Sequence, residues 1–315
     1  MHSITFAASR TWRGSLAGLL TAIMLCLGTE SAVAQTYGGP PDRAVTINFM
    51  GAVGDEAFIC GRSYPGLGRT GSTVTPSDFR FYVSEIHLLT QSGQAVPVRL
   101  EQDGIWQYQN VALLDFEDRT GPCLTGTPET RSVVVGRVPK GQYRGLRFTL
   151  GVPFALNHAD ATVAPSPLNL TSLFWSWQAG YKFVRIDLAS TGRPQTIVPG
   201  MAPRFGDLEG SQVLGFAIHL GSTMCAAEGA TRPPSACRYP NRPTITLPDF
   251  DPDRDVVVAD LKRLLDGVDV DTNQPGTPAG CMSTPTDADC NPLMRNFGLP
   301  FGGEPAGPQR FFRVR

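Results

Sequence analysis

Histidine is scarce in this 315-residue chain, with four residues, and charge is thin. Only 17% of residues are Asp, Glu, Lys or Arg, and 27 basic against 28 acidic residues leave a net charge of -1. No field of one sign is available to hold polyphosphate or an anionic membrane, which argues against a nucleic-acid partner. Beyond the first 34 residues no stretch approaches the roughly 20 apolar residues that a spanning helix needs. There is no C-x-x-C pair, hence no thiolate metal knuckle and no c-type haem attachment. There is no G-x-S-x-G nucleophile elbow either. Helical periodicity is nearly missing. What is plentiful is punctuation, 34 Gly and 27 Pro, set among 41% hydrophobic residues. That rules out coiled coil and disorder and favours many short strands joined by turns.

The start of the chain reads as an export signal. Arg10 and Arg13 are basic, Leu16 to Gly28 is apolar, and Ala32-Val33-Ala34 has the small-x-small pattern of a cleavage site, placing the cut after Ala34. Cys26 follows Leu25 rather than a small residue, which speaks against a lipid anchor. Cleavage leaves 281 residues with six cysteines: Cys60, Cys123, Cys225, Cys237, Cys281 and Cys290. In an oxidising compartment these are expected as disulfides. Locality favours Cys281 with Cys290, and either Cys225 with Cys237 plus Cys60 with Cys123, or a crossed arrangement of those four. The expected location is periplasmic or secreted.

Period-2 alternation marks strands at Val45–Phe49, Phe79–Leu89, Val96–Leu100, Val111–Phe116, Ser132–Val138, Leu146–Val152, Leu173–Gln178, Tyr181–Leu188, Val213–Leu220, Thr244–Leu247 and Phe311–Val314. One modest helix is expected over Val258–Leu265, with Leu261, Leu264 and Leu265 on one face and Gly267 as the stop. The fold class is therefore all-β, an antiparallel β-sandwich or Greek-key barrel with long disulfide-stapled loops and one short C-terminal helix. One domain is expected over 35–315, carrying a Pro- and Gly-rich C-terminal extension, 267–309, and ending in the strand 311–314.

Several motifs fail on context. Gly66-Leu67-Gly68-Arg69-Thr70-Gly71 spells G-x-G-x-x-G, but Tyr64-Pro65 precedes it and Pro76 follows shortly, so a loop is expected rather than a strand-to-helix phosphate cradle. Asp251, Asp253 and Asp255 have EF-hand spacing, yet Val256 and Lys262 stand where the glycine and the bidentate glutamate belong. Asp115, Glu117 and Asp118 follow a strand and read as solvated acids rather than a glycosidase pair.

The three histidines left after cleavage are the candidates for chemistry. His158 and His219 lie where strands end, the places at which a rigid sheet presents binding groups. His87 lies inside a strand, and the side it faces depends on a bulge near Ser84, where the alternation of Phe79, Phe81 and Val83 shifts to Ile86 and Leu88. Trp175 and Trp177 alternate on one face of Phe174-Trp175-Ser176-Trp177-Gln178. They suit core packing, a sugar platform as in a secreted carbohydrate-binding module, or a modified indole beside a metal.

These residues, with Ile59-Cys60-Gly61, Asp78-Phe79-Arg80-Phe81-Tyr82-Val83-Ser84, Val111–Glu117, Cys123, Leu150-Gly151-Val152-Pro153, Leu156-Asn157-His158, the Trp-Ser-Trp-Gln-Ala-Gly-Tyr-Lys-Phe block, His219–Cys225 and Gly280-Cys281-Met282-Ser283, occur in an order that closely resembles the MbnP-like family, the four-cysteine proteins of the metallo-mystery pair. The resemblance implies a non-catalytic periplasmic copper-binding protein. Its implied partner is a di-haem cytochrome c peroxidase-like (MbnH-like) protein that oxidises one Trp to kynurenine. It further implies His158 and His219 as copper ligands and Cys60, Cys123, Cys225 and Cys237 as the four cysteines. His87 stands as a third ligand candidate, Trp175, Trp177 and Trp106 as candidates for modification, Asp160 as the group orienting an imidazole, and Met224 as a soft ligand.

Overall fold

The long strand Ser72–Thr90 organises the molecule, because five other strands pair along its length. Near Tyr82 one edge changes hands: residues up to Phe81 pair with Val184–Ser190, and Val83 onward pairs with Tyr143–Leu150. Glu85, with φ 53°, marks a bulge where the register with Tyr143–Leu150 shifts, as the change of phase near Ser84 suggests. The computed structural model describes residues 41–315 apart from 177, 193–194, 197–206, 209–211, 214, 228 and 230–231. The expected export signal and its cleavage point lie outside the described residues, and so does Trp177.

Two open sheets face one another, the sandwich expected from alternation. The larger runs Thr244–Leu247, Tyr143–Leu150, Ser72–Thr90, Val184–Ser190, Phe216–Leu220, Gly280–Cys281. The smaller runs Phe312–Val314, Val256–Asp260, Asp42–Val53, Val133–Pro139, Arg99–Leu100. Most pairings are antiparallel, but Val256–Asp260 lies parallel to Asp42–Val53 and Gly280–Cys281 parallel to Phe216–Leu220. Between the sheets sits a cluster of rings: Phe81 lies within 6.3 Å of Phe49 and 5.5 Å of Phe312, and Phe148 within 5.0 Å of Phe312. The terminal segment is thus a wedge in the core, and burying its two phenylalanines contributes about 1.5–3 kcal/mol each.

Two expectations need correction. Val258–Leu265 is not one helix: the β-branched run Val256-Val257-Val258 prefers the pleated sheet, and the helix starts only at Leu261, where Asp260 Oδ1 accepts the Lys262 and Arg263 amides. The segment 267–309 carries the strand Gly280–Cys281 and a helix, Cys290–Phe297, whose Leu293, Met294 and Phe297 join the core. The G-x-G-x-x-G segment is a hairpin turn, since Leu67 pairs with Ser72 and Gly66, Gly68 and Gly71 hold the left-handed φ it needs. The disulfides are Cys60–Cys123, Cys225–Cys237 and Cys281–Cys290.

Candidate metal centre

Residues directly opposite one another on paired strands share a face of the sheet. Asp115, Arg80, Arg185 and His219 stand opposite in turn on four adjacent strands, so they form one row across the outer face of the larger sheet. Asp78 and Asp187 are opposite in the row beside it. Alternation alone would leave this face to solvent. It is buried instead: Asp78 and Asp187 are fully enclosed and the others are at most 5% exposed. Ser172 and Thr125 help to cover it, with Arg80 Nη1 and Nη2 donating to their hydroxyls at 3.3 and 3.0 Å and Arg185 Nη1 donating to the Ser172 carbonyl at 3.0 Å.

Buried charges need partners, and the arginines supply them. Arg80 pairs with Asp78, and Arg185 Nε lies 2.7 Å from Asp187 Oδ2 and 3.1 Å from Asp78 Oδ2. Burial pushes the Asp187 carboxyl up, but His219 and Arg185 outweigh it and hold the group well below the usual carboxylate range. For Asp115 burial prevails over Arg80 and raises the carboxyl to about 8.

His219 ends the row. Its Nε2 lies 2.7 Å from Asp187 Oδ1, and burial, opposed by that carboxylate, pushes the imidazole below its ordinary pKa. A neutral ring beside an ionised acceptor carries its proton on Nε2, which leaves the Nδ1 lone pair free. That Nδ1 is buried and has no hydrogen-bond partner among the described residues. A carboxylate on one imidazole nitrogen and a free lone pair on the other is the arrangement of a histidine ligand held for a metal.

His158 caps the short helix Phe154–Asn157 and is buried against the Phe154 ring, 4.8 Å away. Its Nε2 lies 3.1 Å from Asn157 Nδ2 and 3.4 Å from Cys237 Sγ. His158, Cys225 and Cys237 bring ligand atoms within 4.8 Å of one another, but the two cysteines are bonded to each other and offer no thiolate. Asn157 Oδ1 also accepts the Tyr181 amide, tying this corner to the strand that follows Trp175.

The half-buried Trp175 lies against Gly221, two residues beyond His219: a Cβ there would come within 2.4 Å of Trp175 Cζ3 and 2.8 Å of the Tyr181 carbonyl. Only glycine admits this approach. Trp175 also lines a groove of about 380 Å³ with Ser222, Met224, Cys225 and Met282. Trp175 thus lies against the strand end two residues beyond His219 and shares its groove with Cys225, whose disulfide partner Cys237 lies beside His158. The remaining candidates have other surroundings. Half-buried His87 lies beyond the bulge, opposite Arg147 and Pro97, with Nδ1 2.7 Å from the Glu85 carbonyl. Trp106 packs on the main core with its amide on Asp103. Asp160 Oδ1 accepts the Thr162 amide and hydroxyl, which lower its pKa, and the carboxylate on an imidazole is Asp187.

Asp187 was not foreseen, although Asp78-x-Arg80 and Arg185-x-Asp187 place charges at alternate positions of apolar strands, a pattern that requires pairing if buried.

None of the curated proteins compared matches the sequence. Among solved structures the chain is similar to MbnP from Methylosinus trichosporium, at 30% identity and a TM-score of 0.75, over 87% of this chain and 98% of that one. The MbnP family profile matches residues 42–283, and so the chain belongs to the MbnP family.

Proposed function

We propose that this protein is a non-catalytic, periplasmic copper-binding member of its family, with His219 and His158 as ligands. The observation that carries the reading is the buried Nδ1 of His219, unpartnered among the described residues, on a ring already held by Asp187. Copper in either common oxidation state accepts imidazole nitrogen readily. The three disulfides suit an oxidising compartment, and no helix among the described residues is long and apolar enough to cross a membrane.

Trp175 is the residue we assign to kynurenine formation by a di-haem peroxidase-like partner. Its ring lies against Gly221, two residues beyond His219, whereas Trp106 packs on the main core. Opening the indole would set an aryl amine in reach of the same centre. Intact-mass and peptide mapping of protein made with and without the partner tests the assignment: loss of one carbon and gain of one oxygen at Trp175 supports it, and the change at another Trp refutes it. Copper titration of His158→Ala/His219→Ala tests the ligands; full retained affinity contradicts them.

A further inference from the structure

The groove over Trp175 holds two thioethers that the imidazole centre leaves unused. Met224 and Met282 both line it, and each is the chain neighbour of a disulfide cysteine, Cys225 and Cys281 respectively. Methionine usually fills gaps in a core. Met224 does not: it is 56% exposed and adopts φ 52°, a left-handed conformation that costs a non-glycine residue energy. Its flexible, sulfur-bearing side chain lines the groove from a hairpin closed by Cys225–Cys237. Met282 is fixed from the other side, because Gly280–Cys281 is an edge strand of the larger sheet and Cys281 is tied to the helix Cys290–Phe297.

We infer that Met224 and Met282 form a docking site for a soft monovalent cation, the cuprous ion, over the indole of Trp175 and separate from the imidazole centre. The inference takes its cargo from the copper reading above. A pair of neutral thioethers selects for softness: it has no charge to attract calcium or zinc and no proton for the metal to displace. The indole face adds attraction for a cation. None of the three described histidines lines the groove, yet Cys225, which does, is bonded to Cys237, whose Sγ lies 3.4 Å from His158 Nε2. The groove thus stands outside the buried centre across one disulfide, as a receiving position for an ion on its way in. No electron or covalent bond changes hands at this step.

The test uses the exported chain with methionine labelled at the 13C methyl, and silver(I) as a redox-inert probe. Silver should move the Met224 and Met282 methyl signals in wild type and in His158→Ala/His219→Ala. Neither signal is left to move in Met224→Leu/Met282→Leu, whose copper(II) nitrogen couplings should stay as in wild type. Single Met→Leu variants assign the signals and carry the comparison if the double variant fails to fold. Signals unmoved by silver in wild type, or moved only while the histidines are present, overturn the inference. If silver moves them while wild type takes up no copper(II), the imidazole reading fails and the thioether site stands.

Discussion

His219 Nε2 and Asp187 Oδ1 lie 2.7 Å apart on adjacent strands of the larger sheet, both buried, and the other nitrogen of the same ring has no partner among the described residues. The carboxylate fixes which nitrogen bears the proton and so which one can hold a metal. Asp187→Asn removes that preference while keeping the volume. Copper affinity should fall about 10–100-fold, read by competition titration, and Asp187→Glu should not restore it, because the longer chain cannot keep both the His219 and the Arg185 contacts.

The carboxyl of Asp115 makes stability fall as pH rises. Its folded-state pKa of about 8 lies above the unfolded value near 3.9, so between those limits the folded state binds the extra proton. Stability contributed by this group is fully present below about pH 4 and is lost as pH rises through about 8, at up to roughly 1.4 kcal/mol per pH unit. Asp115→Asn retains the Oδ1 that accepts the Glu117 amide and removes the titration. Urea unfolding at pH 5 and pH 8 should show the variant gaining on wild type at the higher pH; equal gains at both would contradict the assignment.

Gly221 is a steric requirement of the Trp175 position. Gly221→Ala places a methyl 2.4 Å from the indole and 2.8 Å from the Tyr181 carbonyl, so the ring or the strand must move. A loss of about 1–3 kcal/mol is expected, with a change in Trp175 fluorescence and, in the presence of the oxidising partner, less kynurenine.

The disulfides should rank by the chain they close. Removing Cys60–Cys123, which spans 63 residues, should cost about 4 kcal/mol, and removing Cys281–Cys290, which spans 9, about 2.6 kcal/mol. Paired Cys→Ala variants in thermal unfolding read the order directly.

Much of the frame was legible because alternation is a local signal. Phe79, Phe81 and Val83 fix the phase of the central strand, and the shift to Ile86 and Leu88 disclosed the Glu85 bulge. Other parts were hidden by what they resemble. The helix Cys290–Phe297 sits in a Pro- and Gly-rich stretch, yet Pro292 stands in its first turn and Gly298, with φ 84°, ends it, the places where those residues favour a helix. Asp187 could not be matched to His219 by spacing, since their contact depends on the register of Val184–Ser190 with Phe216–Leu220. His158 was expected at a strand end but caps the short helix Phe154–Asn157, past the strand that ends at Leu150, and its closeness to Cys237 depends on a hairpin distant in sequence.

Pulsed electron paramagnetic resonance of the copper(II) form, with histidine labelled by 15N, measures the central relationship most directly. Wild type should show coupling from the remote nitrogen of His219, the one held by Asp187, and His219→Ala should lose that coupling while the chain stays folded. An unchanged spectrum in His219→Ala would mean that the free Nδ1 is not where the metal binds.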